Sequence, residues 1–226
     1  MKKLLGLVAA ATVAVALAAP AKASLITLSG GTAGTIPNGA SNELLNPLFG
    51  VPSASGYYGS QINVSVPVTS NILFEFYGAE AGYHNEFNVS GLGELFDHPG
   101  GTIIAPNLGS PLATFATTIL GTGLLPFIFD INNDALHLVN GFNPDDSGGA
   151  ALGPNFFASC APLGPGNPIS CDSVYLFLDD GGAGPDDNHD DFLVRVTISN
   201  IPEPSSLALF GAGLLGIGLF RRRFRK

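Results

Sequence analysis

Residues 179–191, DDGGAGPDDNHDD, place six aspartates, one asparagine and one histidine within thirteen positions. Like charges about 4 Å apart repel by about 1 kcal/mol per pair in water and by more near protein, so the aspartates need neutralisation. Raised pKa values, full solvent exposure or a bound cation would each provide it. Calcium takes about six to eight oxygen ligands, and glycine-rich loops can turn carbonyls towards it. The candidate ligands are Asp179, Asp180, Asp186, Asp187, Asn188, Asp190 and Asp191.

Two alternatives to a calcium site stay open from the residues alone. A solvated acidic turn would serve solubility. His189, beside Asp187 and Asp191, would suit a transition metal. The stretch lacks the alternating acids, central glycine and terminal glutamate of an EF-hand, and no paired-histidine zinc motif occurs in the sequence.

Charge is distributed very unevenly along the chain. Eight of the nine Lys and Arg residues lie before position 24 or after position 220, which leaves Arg195 alone between them. All eighteen acids lie between positions 24 and 203, so one positive charge faces eighteen negative charges, a formal charge of −17. Such a region repels nucleic acid and anionic lipid and attracts divalent cations.

Short apolar or alternating runs between Gly, Pro, Asn and Ser predict an all-β domain over residues 24–200, a β-sandwich or jelly roll with little helix. The acidic stretch lies between two such runs, 174–178 and 192–198, which should pair as a hairpin. The stretch 64–76, VSVPVTSNILFEF, predicts two strands joined by a turn, with Pro67 at an edge or strand end. Residues 30–60 are predicted to form loops.

Cys160 and Cys171 are the two cysteines of the chain, eleven positions apart in a stretch rich in turn-forming residues. In an exported protein such a pair predicts a structural disulfide. A redox or nucleophilic role would need a nearby cation to lower the thiol pKa, and Arg195 is the one candidate.

Both ends of the chain resemble targeting signals. Residues 1–23 have the charged start, apolar core and small-residue Ala-Lys-Ala end of a secretory signal peptide, which predicts export by the Sec machinery. Residues 201–226 contain Pro202, Glu203 and Pro204, then sixteen uncharged residues and a basic cluster. The uncharged run predicts a transmembrane helix of about 24 Å whose basic end stays in the cytoplasm.

The C-terminal tripartite pattern resembles the PEP-CTERM sorting signal of Gram-negative bacteria that make extracellular polysaccharide. That resemblance implies processing by exosortase, a membrane-embedded cysteine transpeptidase, near Pro202, Glu203 and Pro204. The implied route runs through an intermediate anchored in the inner membrane to the cell surface or extracellular matrix. Exopolysaccharide is the candidate partner there, as in a biofilm.

The acidic stretch resembles the hairpin of the DUF4114-like region of bacterial surface proteins. The likeness covers roughly residues 172–199. The matching positions are Asp180, Gly181, Gly182, Asp187, Asn188, Asp190, Asp191, Val194 and Arg195, with His189 as an insertion.

The sequence favours a non-enzymatic surface or matrix protein stabilised by calcium. The chain lacks nucleophile-elbow, P-loop and dinucleotide motifs. The alternatives are a carbohydrate-binding or glycan-cleaving domain and a self-assembling surface subunit. Glycosidases need two carboxylates about 5 to 10 Å apart, but so many acids would supply such a pair by chance.

Overall fold

The structure is a computed structural model that describes residues 24–38, 41–104, 110–148, 153–164, 166–181 and 187–201, with 210, 213, 214 and 217. The described residues up to 201 form one short helix and fourteen strands. In chain order these are β1 (Ile26–Ser29), β2 (Thr32–Ile36), α1 (Leu45–Phe49), β3 (Ala54–Tyr58), β4 (Gln61–Ala81), β5 (Asn85–Val89), β6 (Gly93–His98), β7 (Thr102–Ile104), β8 (Ala113–Leu124), β9 (Phe127–Ile131), β10 (Leu136–Val139), β11 (Asn155–Ser159), β12 (Ser170–Cys171), β13 (Ser173–Asp179) and β14 (Phe192–Asn200).

The strands form two antiparallel sheets, which confirms the predicted all-β fold. The larger sheet has ten strands in the order β12-β1-β4-β14-β13-β11-β3-β2, with β7 and β8 paired to β4. The smaller sheet has four strands in the order β10-β9-β5-β6. The predicted signal peptide and C-terminal transmembrane helix fall largely or wholly outside the described residues.

A phenylalanine-rich core joins the two sheets. Phe87 and Phe129 of the smaller sheet contact each other edge to face at 5.2 Å between ring centroids, and Phe129 also packs on Phe192 of the larger sheet at 6.1 Å. Phe76 and Phe192, on neighbouring strands of the larger sheet, lie 4.6 Å apart. Aromatic side chains bury large apolar areas, and this interface therefore fixes how the sheets stack.

A second apolar cluster covers the opposite face of the larger sheet. Side chains alternate along β13, so that Leu176 and Leu178 face the first core while Phe177 faces the second. Helix α1 contributes Leu45 and Leu48 to the second cluster. The period of two along a strand accounts for this division, and it leaves most of β13 buried on both faces.

Two local predictions were wrong. Residues 61–81 form the single strand β4 rather than two strands and a turn, and Pro67 lies within it. The register against β8 shifts between Val66 and Ser70, so Pro67 occupies an irregularity in the ladder, where a missing donor is tolerated. Residues 30–60 contain β2, α1 and β3 rather than loops alone.

The predicted disulfide between Cys160 and Cys171 is present. Cys160 directly follows β11, and Cys171 lies in β12, which pairs with β1. Four strands separate β12 from β11 in the sheet order, so the larger sheet must curl to bring the two cysteines together.

Candidate metal centre

The acidic stretch joins two paired strands, as the sequence predicted. The ladder between β13 and β14 runs from Ser173 opposite Thr197 to Leu178 opposite Phe192. The backbone N–H of Asp191 donates to the carbonyl of Leu178 at 3.1 Å and closes the ladder. We call residues 179–191 the acidic hairpin; of these, 179–181 and 187–191 are described.

The described acids of the hairpin are buried. Asp190 is fully buried, and Asp179, Asp180, Asp187 and Asp191 are between 1% and 8% exposed. The interpretation of this stretch as a solvated acidic turn is therefore wrong for these residues. They pack beneath the segment before α1 and against the ends of other strands, so water does not neutralise them.

Neutral groups donate several of the hydrogen bonds that these carboxylates accept. One amide or backbone N–H can orient an oxygen, but it supplies no whole positive charge. The donors are Asn38 Nδ2 to Asp187 Oδ2 at 3.0 Å, Asn85 Nδ2 to Asp180 Oδ2 at 2.7 Å, Glu43 N to Asp190 Oδ2 at 2.6 Å, and Asp180 N to Asp191 Oδ2 at 2.8 Å.

Arg195 forms its ion pair with Glu75, which lies outside the acidic hairpin. Its Nε and Nη2 atoms donate to the two carboxylate oxygens of Glu75 at 2.6 and 2.7 Å, and its guanidinium lies over the rings of Tyr77 and Tyr175. The Glu75 carboxylate raises the pKa of Arg195 further above its usual value. The one Arg or Lys between positions 24 and 203 is thus committed to Glu75.

Two groups of potential ligands lie at the base of the hairpin. In each group, one ligand atom from every residue lies within 4.8 Å of the others. The first group is Asp179, Asp187 and His189, all buried. The second is Glu80, Asp190 and Asp191, in which Glu80 comes from the end of β4.

Burial and like charge act together on these groups. Burial raises the pKa of Asp191 to about 9, with the carboxylates of Asp180, Asp179 and Asp190 adding to the rise. Burial and the neighbouring Asp146 raise the pKa of Asp187 to about 6. Both shifts oppose full ionisation of the cluster, and a nearby positive charge would favour it.

His189 is fully buried at the centre of the first group. Its Nε2 atom lies 2.7 Å from Asn155 Oδ1, and its ring packs edge-on against Tyr58 and Phe157. Burial lowers the pKa of His189 to about 3, so the imidazole is neutral at neutral pH. A neutral imidazole leaves one ring nitrogen able to accept a proton or a metal ion.

The structure divides the predicted calcium ligands between the two ligand groups and places others outside them. Asp179 and Asp187 fall in the first group, Asp190 and Asp191 fall in the second, and Asp180 bonds to Asn85 beside them. The carbonyl of Asn188 accepts from Asn42 Nδ2 at 2.7 Å. Asp186 lies outside the described residues.

Sequence reasoning missed the residues that come from distant segments. These are Asn38, Asn42, Glu80, Asn85, Asp146 and Asn155. Each is a polar residue near the end of a strand or in a connection. Polar residues are common at such positions, so no signal in the sequence distinguishes these six from the others. Their role depends on contacts between segments up to about 150 positions apart.

A separate polar row crosses the smaller sheet. His137, Asp130, Glu86 and Asp97 are direct cross-strand neighbours on β10, β9, β5 and β6. His84 joins this row through Asp97, with Nε2 to Oδ1 at 2.5 Å. The side chains are partly exposed, and this row is distinct from the acidic hairpin.

Comparison with known proteins decides the identity of the C-terminus. Residues 200–223 match the PEP-CTERM protein-sorting motif. The chain carries an exosortase sorting signal. The PEP-CTERM match includes Pro202, Glu203 and Pro204 and confirms the predicted sorting motif. The signal implies export, a membrane-anchored intermediate and delivery to the surface.

The PEP-CTERM match leaves the domain before it without an assigned family. No curated protein and no solved structure shows significant similarity to the chain. The resemblance of the acidic hairpin to the DUF4114-like region stays a prediction. Within the described residues, no helix combines the length and hydrophobicity needed to traverse a bilayer.

Proposed function

We propose that this exosortase-sorted surface protein is a non-enzymatic component of the cell envelope or exopolysaccharide matrix whose acidic hairpin is held folded by calcium. The observation that carries the proposal is a set of buried carboxylates in a region that has one arginine, already paired. A buried carboxylate without compensation is costly, and a divalent cation would compensate several at once.

The second ligand group, Glu80, Asp190 and Asp191, offers oxygen ligands alone, which suits calcium. Asn85 is linked to this group through Asp180, which accepts from Asn85 Nδ2 and whose N–H donates to Asp191 Oδ2, and Asn85 Oδ1 is buried and makes no hydrogen bond to the described residues. Amide oxygens are common calcium ligands. Calcium would link β4 to the hairpin, where Glu80 N already donates to the Asp190 carbonyl at 2.9 Å.

Export places the protein where calcium is abundant. Extracellular calcium modules bind with dissociation constants of about 0.1 to 1 mM. Such a site makes the stability of the hairpin depend on the calcium concentration. The hairpin is stable outside the cell and less stable where calcium is scarce. A matrix protein with this property would assemble where calcium is available.

Calcium titration of thermal stability tests the proposal. In the full chain, purified in detergent, calcium at ten times its dissociation constant should stabilise the fold by about 1.4 kcal/mol relative to chelator. For a domain of this size, that free energy corresponds to a rise in melting temperature of about 3 to 6 °C. Circular dichroism measures the shift, and magnesium at the same concentration controls for ionic strength.

Two variants make the test specific. Asp191→Asn keeps the side-chain shape and removes one carboxylate ligand, so the calcium-dependent shift should disappear while stability in chelator does not fall. Glu94→Gln removes one exposed charge outside both ligand groups and should retain the full shift. A wild-type melting temperature that calcium raises no more than magnesium does would refute the calcium site. The carbohydrate-binding or glycan-cleaving alternative stays a prediction of the sequence.

A further inference from the structure

The two ligand groups of the acidic hairpin differ in chemistry. Glu80, Asp190 and Asp191 provide oxygen, whereas His189 adds a ring nitrogen to Asp179 and Asp187. Calcium is a hard cation that binds oxygen, and mixed nitrogen and oxygen sets suit zinc and similar divalent ions. The chemistry therefore separates the two groups.

The hydrogen bond from His189 fixes which nitrogen is available. Asn155 Oδ1 can only accept, so His189 Nε2, 2.7 Å away, carries the hydrogen. In the neutral ring Nδ1 then presents a lone pair. This atom is buried and makes no hydrogen bond to any described residue.

The Nδ1 atom faces a carboxylate. Asp187 Oδ1 lies 3.5 Å from it, is also buried, and likewise makes no hydrogen bond within the described part of the chain. Two electron-rich atoms held at this distance repel unless a positive centre lies between them. Two ligands on a tetrahedral zinc ion, with bonds of about 2.0 to 2.1 Å, would be about 3.4 Å apart.

The surrounding contacts hold the ligands in orientation. Asn38 Nδ2 occupies Asp187 Oδ2, and the Gly181 N–H occupies Asp179 Oδ1 at 2.9 Å. The Asn155 bond sets the tilt of the imidazole. Outer-shell hydrogen bonds of this kind are a regular feature of metal sites, where they fix the tautomer and direct the other atom at the ion. Asp146 is buried beside this group, and its carboxylate acts on Asp187.

We propose that Asp179, Asp187 and His189 form a zinc-class metal site, bound through His189 Nδ1 and separate from the calcium group on the same hairpin. The zinc ion would hold the start and end of the hairpin together, since Asp179 ends β13 and the other two ligands precede β14. The zinc proposal goes beyond the calcium proposal, and either proposal can be wrong while the other holds.

Metal analysis in the presence of excess calcium tests the proposal. The full chain, stripped with chelator, is titrated with zinc chloride in buffer that contains millimolar calcium, and retained zinc is measured by mass spectrometry after gel filtration. One equivalent of zinc should remain bound. His189→Gln should weaken zinc binding by more than about 100-fold, because the loss of an outer-shell partner alone costs about 10- to 100-fold.

His137→Gln is the matched control, since it makes the same change at a largely exposed ring on the smaller sheet. It should retain the zinc equivalent. His189→Gln should also retain the calcium-dependent melting shift, which shows that the variant folds. Should it not fold, the wild-type chain loaded with cobalt or labelled with ¹⁵N still decides the matter, through visible absorption of cobalt with a nitrogen ligand or the ¹⁵N shift of metal-bound Nδ1.

The outcomes separate the two proposals. Zinc that calcium displaces fully, zinc that His189→Gln retains, or an Nδ1 resonance unchanged by zinc would overturn the zinc site and leave the calcium proposal intact. Zinc bound through His189 with no calcium-dependent stability would overturn the calcium proposal alone. If neither ion binds, both are wrong.

Discussion

At the scale of single residues, Arg195 shows how this protein uses its scarce positive charge. Arg195 and Glu75 face each other across the β14 and β4 ladder, and the Glu75 side chain is 5% exposed. The guanidinium also donates to the Tyr175 hydroxyl at 3.1 Å. The arginine therefore closes a polar contact within the second core cluster, and the acids of the hairpin must find another partner.

Glu75→Gln tests the role of this ion pair. The variant leaves the Arg195 charge partly buried without its counterion, and we expect a loss of about 2 to 4 kcal/mol in unfolding free energy. Urea denaturation measures the loss, with Glu94→Gln as the exposed control. Calcium-dependent stabilisation should be unchanged, because Glu75 lies in neither ligand group. A loss below about 0.5 kcal/mol would show that the pair contributes little.

Residue types predicted part of the candidate site. The density of aspartates and the shortage of basic residues indicated that the hairpin needs a cation, and five of its six aspartates lie in the described, buried cluster. Burial itself could not be predicted, because loops rich in Gly and Asp are ordinarily solvated. Asn38, Asn42 and Asn155 gave no signal, since their contacts exist only after distant segments fold together.

At the scale of elements, strand pairing was more predictable than strand length. The hairpin of β13 and β14 follows from two apolar runs around a turn-rich stretch. The sequence predicts two strands in place of β4 because proline usually interrupts a sheet. Here β1 pairs with residues 61–64 of β4 and β14 pairs with residues 70–78, so Pro67 lies where neither neighbour needs its N–H.

The polar row on the smaller sheet predicts a pH dependence. The Asp130 carboxylate raises the pKa of His137 above 6.5, with a smaller contribution from Asp134, and Asn133 and Asp97 raise that of His84. A histidine with a raised pKa stabilises the folded state fully below its unfolded pKa. That contribution is lost as pH rises through the folded value. The protein should therefore lose a small part of its stability as the pH rises above about 6.5.

Nuclear magnetic resonance titration of the two imidazoles checks this prediction. Both pKa values should lie above 6.5 in the wild-type chain. Asp130→Asn should return the His137 value towards 6.5 and leave His84 raised, since His84 keeps Asp97 and Asn133. A His137 value that does not move in this variant would contradict the assigned cause.

At the scale of the whole molecule, the C-terminal sorting signal implies that the charged domain is exported. The sequence predicted the sorting signal because its recognition depends on local order and composition, which need no tertiary structure. The all-β class was also predictable, from periodicity and frequent turns. The curl of the larger sheet and the burial of its acidic hairpin were not, because both depend on contacts across strands far apart in the chain.

Export should also govern the disulfide between Cys160 and Cys171, which joins the end of β11 to β12 across the curled sheet. A chain that lacks residues 2–23 should stay in the reducing cytoplasm with Cys160 and Cys171 as free thiols. The loop closed by the bridge is short, and its loss should reduce the unfolding free energy by about 2 to 3 kcal/mol. Alkylation followed by mass spectrometry should count two free thiols in the retained chain and none in the exported one. The double variant Cys160→Ser and Cys171→Ser, exported normally, should show the same loss of stability. If that variant is as stable as wild type in urea, the apolar core alone maintains the curl, and export matters for delivery rather than for folding.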